Sequence, residues 1–290
     1  YYTLVGEEKQ LLTKWRFSYF DEWTEDCKNV CPQAEITVPS CWQMLGYDVH
    51  QYTNYRYPFP YSPPKILKKN PCGIYETEYF IDKKLGRYEL CFTGADSCLY
   101  LFINGTYKGY ASVSHSYNIF DVTDLLFEGK NVFRVVVFKW NCGSYLEDQD
   151  KLRMTGLFGS VYVRRRREGH LRDYSLTGDY DAATGRGKIT FRADQPCVLR
   201  LSGGGIGTEE KKGKTCLFEI ENALPWSAEN PYLYRMEIEC QGEKIAEKVG
   251  LRRVYSEGGV LMLNGKPIKL HGVNRHSFTV NGYVESTEDL

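Results

Sequence analysis

Between Gly143 and Gly159 the sequence reads GSYLEDQDKLRMTGLFG, and three acids, Glu147, Asp148 and Asp150, crowd one short loop. Carboxylates so grouped can ligate a hard cation, accept hydrogen bonds from hydroxyl-rich ligands, or merely face water. The flanking SYL and LRM runs favour a loop pinned between buried strands, and therefore a held conformation. A second polar group, Asn274, Arg275 and His276, follows the apolar run PIKLHGV at its carboxyl end, where a lone histidine is usually a satisfied structural residue. Other candidates are weaker. Cys27 and Cys31 in CKNVC lack a second pair or a histidine at ligand spacing, which argues against zinc. SGGGIG lacks the Lys-Ser/Thr of a phosphate loop and reads as a turn. Glu257 and Glu285 are tempting as paired carboxylates, but no spacing ties them together.

The elements that position these residues are strands. Short runs rich in Tyr, Phe, Val and Ile recur between turn signals: GIYETEYFI, GRYELCFTG, SCLYLFING, NVFRVVVFKW and SVYVRRR. Within YETEYFI, Tyr75, Thr77, Tyr79 and Ile81 share one face and Glu76, Glu78 and Phe80 the other. Asn104-Gly105 predicts a hairpin, and DVTDLL one short turn capped by Asp121 or Thr123. These runs make residues 1–165 a β-sandwich. Residues 166–256 carry about seven further short strands, the count of an immunoglobulin-like sandwich. From 257 onward the pattern changes to a hairpin at Asn264-Gly265, the strand PIKLHGV, and a helix start at Ser286 with Glu288 and Asp289 in its first turn. That is one βα step.

Composition narrows the functional classes. With 37 basic and 37 acidic residues the 290-residue chain has no net charge, so no global field attracts nucleic acid or an anionic membrane. The run Arg164–Arg167 is short and alternates faces in a strand, which makes it an interdomain or solvated edge. Apolar content of 42% is enough for real cores, and no run of eighteen apolar residues predicts a membrane span. The 23 Tyr and 5 Trp suit both sandwich cores and stacking on sugars; Trp42 and Trp140 are better read as core. Ten scattered Cys and no opening apolar segment point to a reducing cytoplasm.

Four stretches in order, VPSCWQMLGYDVHQYTNYRYPF, GSYLEDQDKLRMTGLFGSVYV, LPWSAENPYLY and GLRRVYSEGGVLMLNGKPIKLHGVNRH, resemble the amino-terminal half of a β-galactosidase of glycoside hydrolase family two. The resemblance implies an all-β chain: a jelly-roll sugar-binding sandwich over 1–165, an immunoglobulin-like sandwich over 166–256, and over 257–290 the truncated start of a (β/α)8 barrel. It implies retaining hydrolysis of terminal non-reducing β-D-galactosides such as lactose, by two barrel glutamates absent from these residues, so that this stretch alone is inactive. His276 matches the family histidine that contacts sugar hydroxyls and stabilises the transition state. Asp150 matches the aspartate that ligates sodium beside the galactosyl 6-hydroxyl. Asp96, in GADSC, stands where the family usually carries Asn. An ionised Asp accepts without donating, so this departure bears on sugar contact. The resemblance further implies magnesium bound by ligands outside this chain, and a homo-oligomer at full length. Two alternatives are a stand-alone carbohydrate-binding module, which leaves PIKLHGVNRH unexplained, and a β-glucuronidase or β-mannosidase of the same family, against which SYLEDQD argues.

Overall fold

The computed structural model describes residues 3–5, 8–52, 59–147, 150–276 and 278–284. Asp148, Gln149, Glu285 and the helix start expected at Ser286 lie outside the described residues. Among those described the chain is all-β, with short 3-10 turns and no α-helix. It divides into two compact units, Glu8–Arg165 with Asn274–Leu290, and Tyr1–Glu7 with Arg166–Val273.

In the unit around Glu8–Arg165, a six-stranded antiparallel sheet runs Ala34–Thr37, Lys14–Phe20, Cys72–Ile81, Gly129–Phe138, Cys98–Ile103, Thr106–Ala111. A four-stranded sheet runs Asn118–Asp121, Arg87–Phe92, Val161–Arg166, Glu8–Leu11. The period-2 alternation of each strand turns Trp15 and Phe17, Tyr75 and Tyr79, Phe133, Val135 and Val137 from the larger sheet into one core with Leu90, Phe92, Val161 and Val163 from the smaller. Glu78 and Phe80 stay exposed on the opposite face, as the alternation requires. Asn104 and Gly105 both have positive φ (51° and 81°), the type I′ geometry whose twist matches a two-residue hairpin. Trp42 and Trp140 are buried, as core residues. The Trp42 indole N–H donates to the Tyr75 hydroxyl at 2.5 Å, which also accepts from the Leu157 amide at 3.4 Å.

In the other unit, Thr3–Val5, Glu243–Val249, Tyr234–Cys240, Arg186–Gly203 and Tyr174–Asp181 form one sheet, with Ile206–Ile220 paired to Arg186–Gly203. The 18-residue strand Arg186–Gly203 pairs Tyr174–Asp181 along its first half and Tyr234–Cys240 along its second, with a register shift between Arg192 and Cys197. The bend lets Ile189, Phe191, Leu199 and Leu201 from both halves converge on one core with Phe218, Met236 and Ile238. Thr3–Val5 completes this sheet by pairing with Lys244–Ala246, although its position in the sequence suggests the sandwich that follows it.

Two expectations take a different form. The run PIKLHGV is a strand only at Lys266–Pro267; Leu270 and Val273 are 82% and 93% exposed. A barrel strand is held by neighbours on both edges; here the Ile268 amide donates to the Leu261 carbonyl at 3.0 Å, and Lys269–Val273 pair with no strand among the described residues. The first three arginines of the run are each paired: Arg164 with Glu89 at 2.5 Å, Arg165 with Glu8, and Arg166 with the buried Glu243 at 3.2 Å. None of the ten cysteines forms a disulfide, and of these Cys31 and Cys142 are exposed. No helix among the described residues is long and apolar enough to cross a membrane.

Candidate functional site

Asp96 lies in the loop between the strands Arg87–Phe92 and Cys98–Ile103. Its backbone is fully engaged: its N–H donates to the Gly156 carbonyl at 3.1 Å and its carbonyl accepts from the Gly156 N–H at 3.0 Å. Gly156 permits this approach because its φ is +131°, and a Cβ there would stand 2.9 Å from the Ser40 carbonyl oxygen. The loop is braced from behind. Thr155 donates its N–H to Gln43 Oε1 at 2.9 Å, Gln43 Nε2 donates to Asp48 Oδ2 at 2.9 Å, and the same oxygen accepts from Lys139 Nζ at 2.5 Å. The Lys139 and Asp48 side chains are 4% and 9% exposed, so this ion pair belongs to the interior.

In front of Asp96 opens a cavity of about 200 Å³ lined by Asp96, His115, Glu147, Lys151, Arg153 and Tyr283 among others. Asp96 is 5% exposed, and its Oδ1 is buried with no hydrogen-bond partner among the described residues. Burial pushes its carboxyl up to about 7; Arg153 opposes the rise, Glu147 adds to it, and Lys151 and Lys139 oppose it. Glu147 braces the acidic loop, accepting from the Ser114 hydroxyl at 2.5 Å through Oε2 and from the Ser114 amide at 3.2 Å through Oε1. With both oxygens engaged it is not a free nucleophile. Lys151 Nζ lies 3.1 Å from His115 Nε2 and 4.3 Å from the Tyr283 ring centroid. Burial lowers the basicity of both Lys151 and His115. The Tyr283 hydroxyl donates to the Leu152 carbonyl at 2.9 Å and accepts from the Met154 amide at 3.3 Å, which fixes its ring against the cavity wall. The result is a small polar chamber, with acceptors, donors and an aromatic face, suited to a hydroxyl-rich ligand.

Of the residues singled out in the sequence, Asp96 lines this chamber. Asp150 and His276 do not: both are exposed, Asp150 accepting from the Tyr52 hydroxyl and the His276 carbonyl accepting from the Phe278 amide at 3.0 Å. Sequence reasoning passed over His115, Lys151, Arg153 and Tyr283. Lys151 is adjacent to Asp150 and could have been found from the loop; His115 and Tyr283 carry no local signal. Among the described residues no three His, Cys, Asp or Glu converge as a metal site. Asp150 stands beside the Tyr52 hydroxyl, and its carboxylate is a hard oxygen donor of the kind a cation such as sodium takes.

Residues 9–166 match the sugar binding domain of glycosyl hydrolases family 2, and residues 202–252 match glycosyl hydrolases family 2. A β-galactosidase of Actinobacillus pleuropneumoniae is 37% identical over 285 residues, covering 95% of this chain and 28% of that protein. One from Staphylococcus xylosus is 35% identical over 288 residues, covering 93% of this chain and 28% of that protein. The chain thus spans less than a third of these curated relatives. Among solved structures, a β-glucuronidase from Ruminococcus gnavus in complex with D-glucaro-d-lactam is similar with a TM-score of 0.76 at 19% identity, over 97% of this chain and 52% of that one. The Lactobacillus rhamnosus β-glucuronidase gives a TM-score of 0.77 at 19% identity, over 98% of this chain and 51% of that one. At such identity the likeness speaks for the fold alone. Since the sugar-binding match by itself takes in more than half of the residues, the chain belongs to glycosyl hydrolase family 2.

Proposed function

We propose that this chain is the amino-terminal portion of a retaining β-galactosidase acting on terminal non-reducing β-D-galactosides, lactose among them. The observation that carries the reading is the 37% identity to a β-galactosidase over 95% of the chain. In this reading the acid/base and nucleophile glutamates of the double-displacement mechanism lie in another part of the protein, and these residues shape the mouth of the pocket. Asp96 meets the sugar from the cavity wall, Asp150 approaches the galactosyl 6-hydroxyl and contributes one oxygen to a sodium ion, and His276 steadies the transition state. Magnesium is held by residues outside this chain. The polar chamber beside Asp96 supports a neutral, hydroxylated ligand over a charged polymer.

The test has two arms. Residues 1–290, purified, are assayed with a chromogenic β-galactoside and are expected to show no turnover; turnover abolished by His276→Ala refutes the division of labour. The longer gene product is then compared on chromogenic β-galactoside, β-glucuronide and β-mannoside. Preference for either of the latter two refutes the galactoside assignment.

A further inference from the structure

We infer that Asp96 meets the sugar as a neutral carboxylic acid, donating one hydrogen bond and accepting another, so that galactoside binding weakens once this acid ionises. The inference rests on the β-galactosidase reading and deepens it. The Asp96 N–H and carbonyl are both bonded to Gly156, which leaves the side chain as its group facing the cavity. Its side chain is 5% exposed, lines the cavity, and keeps Oδ1 buried without a partner among the described residues. An ionised carboxylate in that position lacks the hydrogen bonds that make buried charge tolerable, whereas the neutral acid needs far less solvation. A neutral acid also presents what a sugar hydroxyl complements, one O–H donor and a carbonyl acceptor, in the manner of an amide.

The neighbours leave Asp96 as the group that changes charge near neutrality. The charged groups acting on it are Arg153, Glu147, Lys151 and Lys139, and burial outweighs them, giving the acid its value of about 7. His115 shares the cavity, but burial and Lys151 hold it below its ordinary value, so it is already neutral there. The Cys41 thiol and the Tyr283 phenol also feel Asp96; burial moves the first up to about 11 and the second upward as well, so neither ionises in this range.

Two measurements test the inference. In residues 1–290 labelled with 13C at the Asp carboxyl carbon, the resonance lost in Asp96→Asn is expected to titrate near pH 7; a resonance already ionised at pH 5.5 overturns the inference. In the longer enzyme, KM for a chromogenic galactoside is expected to rise up to tenfold per pH unit above about pH 7. Asp96→Asn, which donates and accepts at every pH, is expected to flatten that rise to less than twofold between pH 6 and pH 9, while Asp96→Leu raises KM throughout. An alkaline rise in KM that persists unchanged in Asp96→Asn overturns the inference. A longer protein that cleaves no galactoside instead refutes the functional reading, and the carboxyl titration separates the two failures.

Discussion

Replacing Asp48 by Asn tests whether the wall behind the cavity depends on its interior ion pair. The Lys139 ammonium loses a charged partner at 2.5 Å while its side chain stays 4% exposed, leaving a positive charge in the interior with an amide in place of the carboxylate. Breaking one side of a buried pair costs about 3–5 kcal/mol. At roughly 2–4 °C per kcal/mol for a unit of this size, the midpoint should fall by about 6–20 °C. The damage has a direction, because the same Asp48 oxygen accepts from Gln43, which holds Thr155, the residue before Gly156 and its bridge to Asp96. Removing both charges with Asp48→Leu and Lys139→Met should restore much of the loss, since a buried pair replaced by apolar groups is often neutral or stabilising. Calorimetry of residues 1–290 reads all three variants. A fall of less than about 2 °C in Asp48→Asn, or a double variant as unstable as the sum of its parts, refutes the reasoning.

Tyr75→Phe keeps the ring but removes the acceptor shared by Trp42 and Leu157, and should cost about 1–3 kcal/mol by denaturant unfolding, with no change in the denaturant dependence. Asp96 carries a pH signature in stability as well as in binding. Its folded value of about 7 exceeds the ordinary 3.8, so the native state holds a proton that the unfolded chain has released. Its contribution is therefore fully present below about pH 4 and is lost, at about 1.4 kcal/mol per pH unit, as pH rises to about 7. Unfolding midpoints at pH 5 and pH 8 should differ more in the native sequence than in Asp96→Asn; equal differences refute this.

What the sequence made legible was local. Alternation placed Tyr75, Tyr79 and Ile81 inside and Glu78 and Phe80 outside, and Asn104-Gly105 marked a hairpin because few residues accept its backbone angles. The chamber was only partly legible because its walls meet through long-range pairing. His115 reaches Lys151 across 36 positions, and Tyr283 reaches Leu152 across 131. Asp96 was found by family resemblance, yet its protonation depends on burial, which no neighbour in the sequence reveals. The apolar run PIKLHGV illustrates the converse: past Ile268 its strand pattern finds no partner strand among the described residues, and Leu270 and Val273 stay exposed.

The distribution of thiols makes the protein its own gauge of unfolding. A thiol-specific dye added to the folded chain meets two accessible sulfurs, Cys31 and Cys142, and leaves eight others shielded in the strands and loops of both units. Burial also holds several of these in the unreactive protonated form, Cys72 and Cys197 being pushed up to about 12. Because Cys27, Cys41, Cys72, Cys91 and Cys98 lie in one unit and Cys197, Cys216 and Cys240 in the other, identifying the labelled peptides at increasing denaturant would report which unit opens, with no engineered probe.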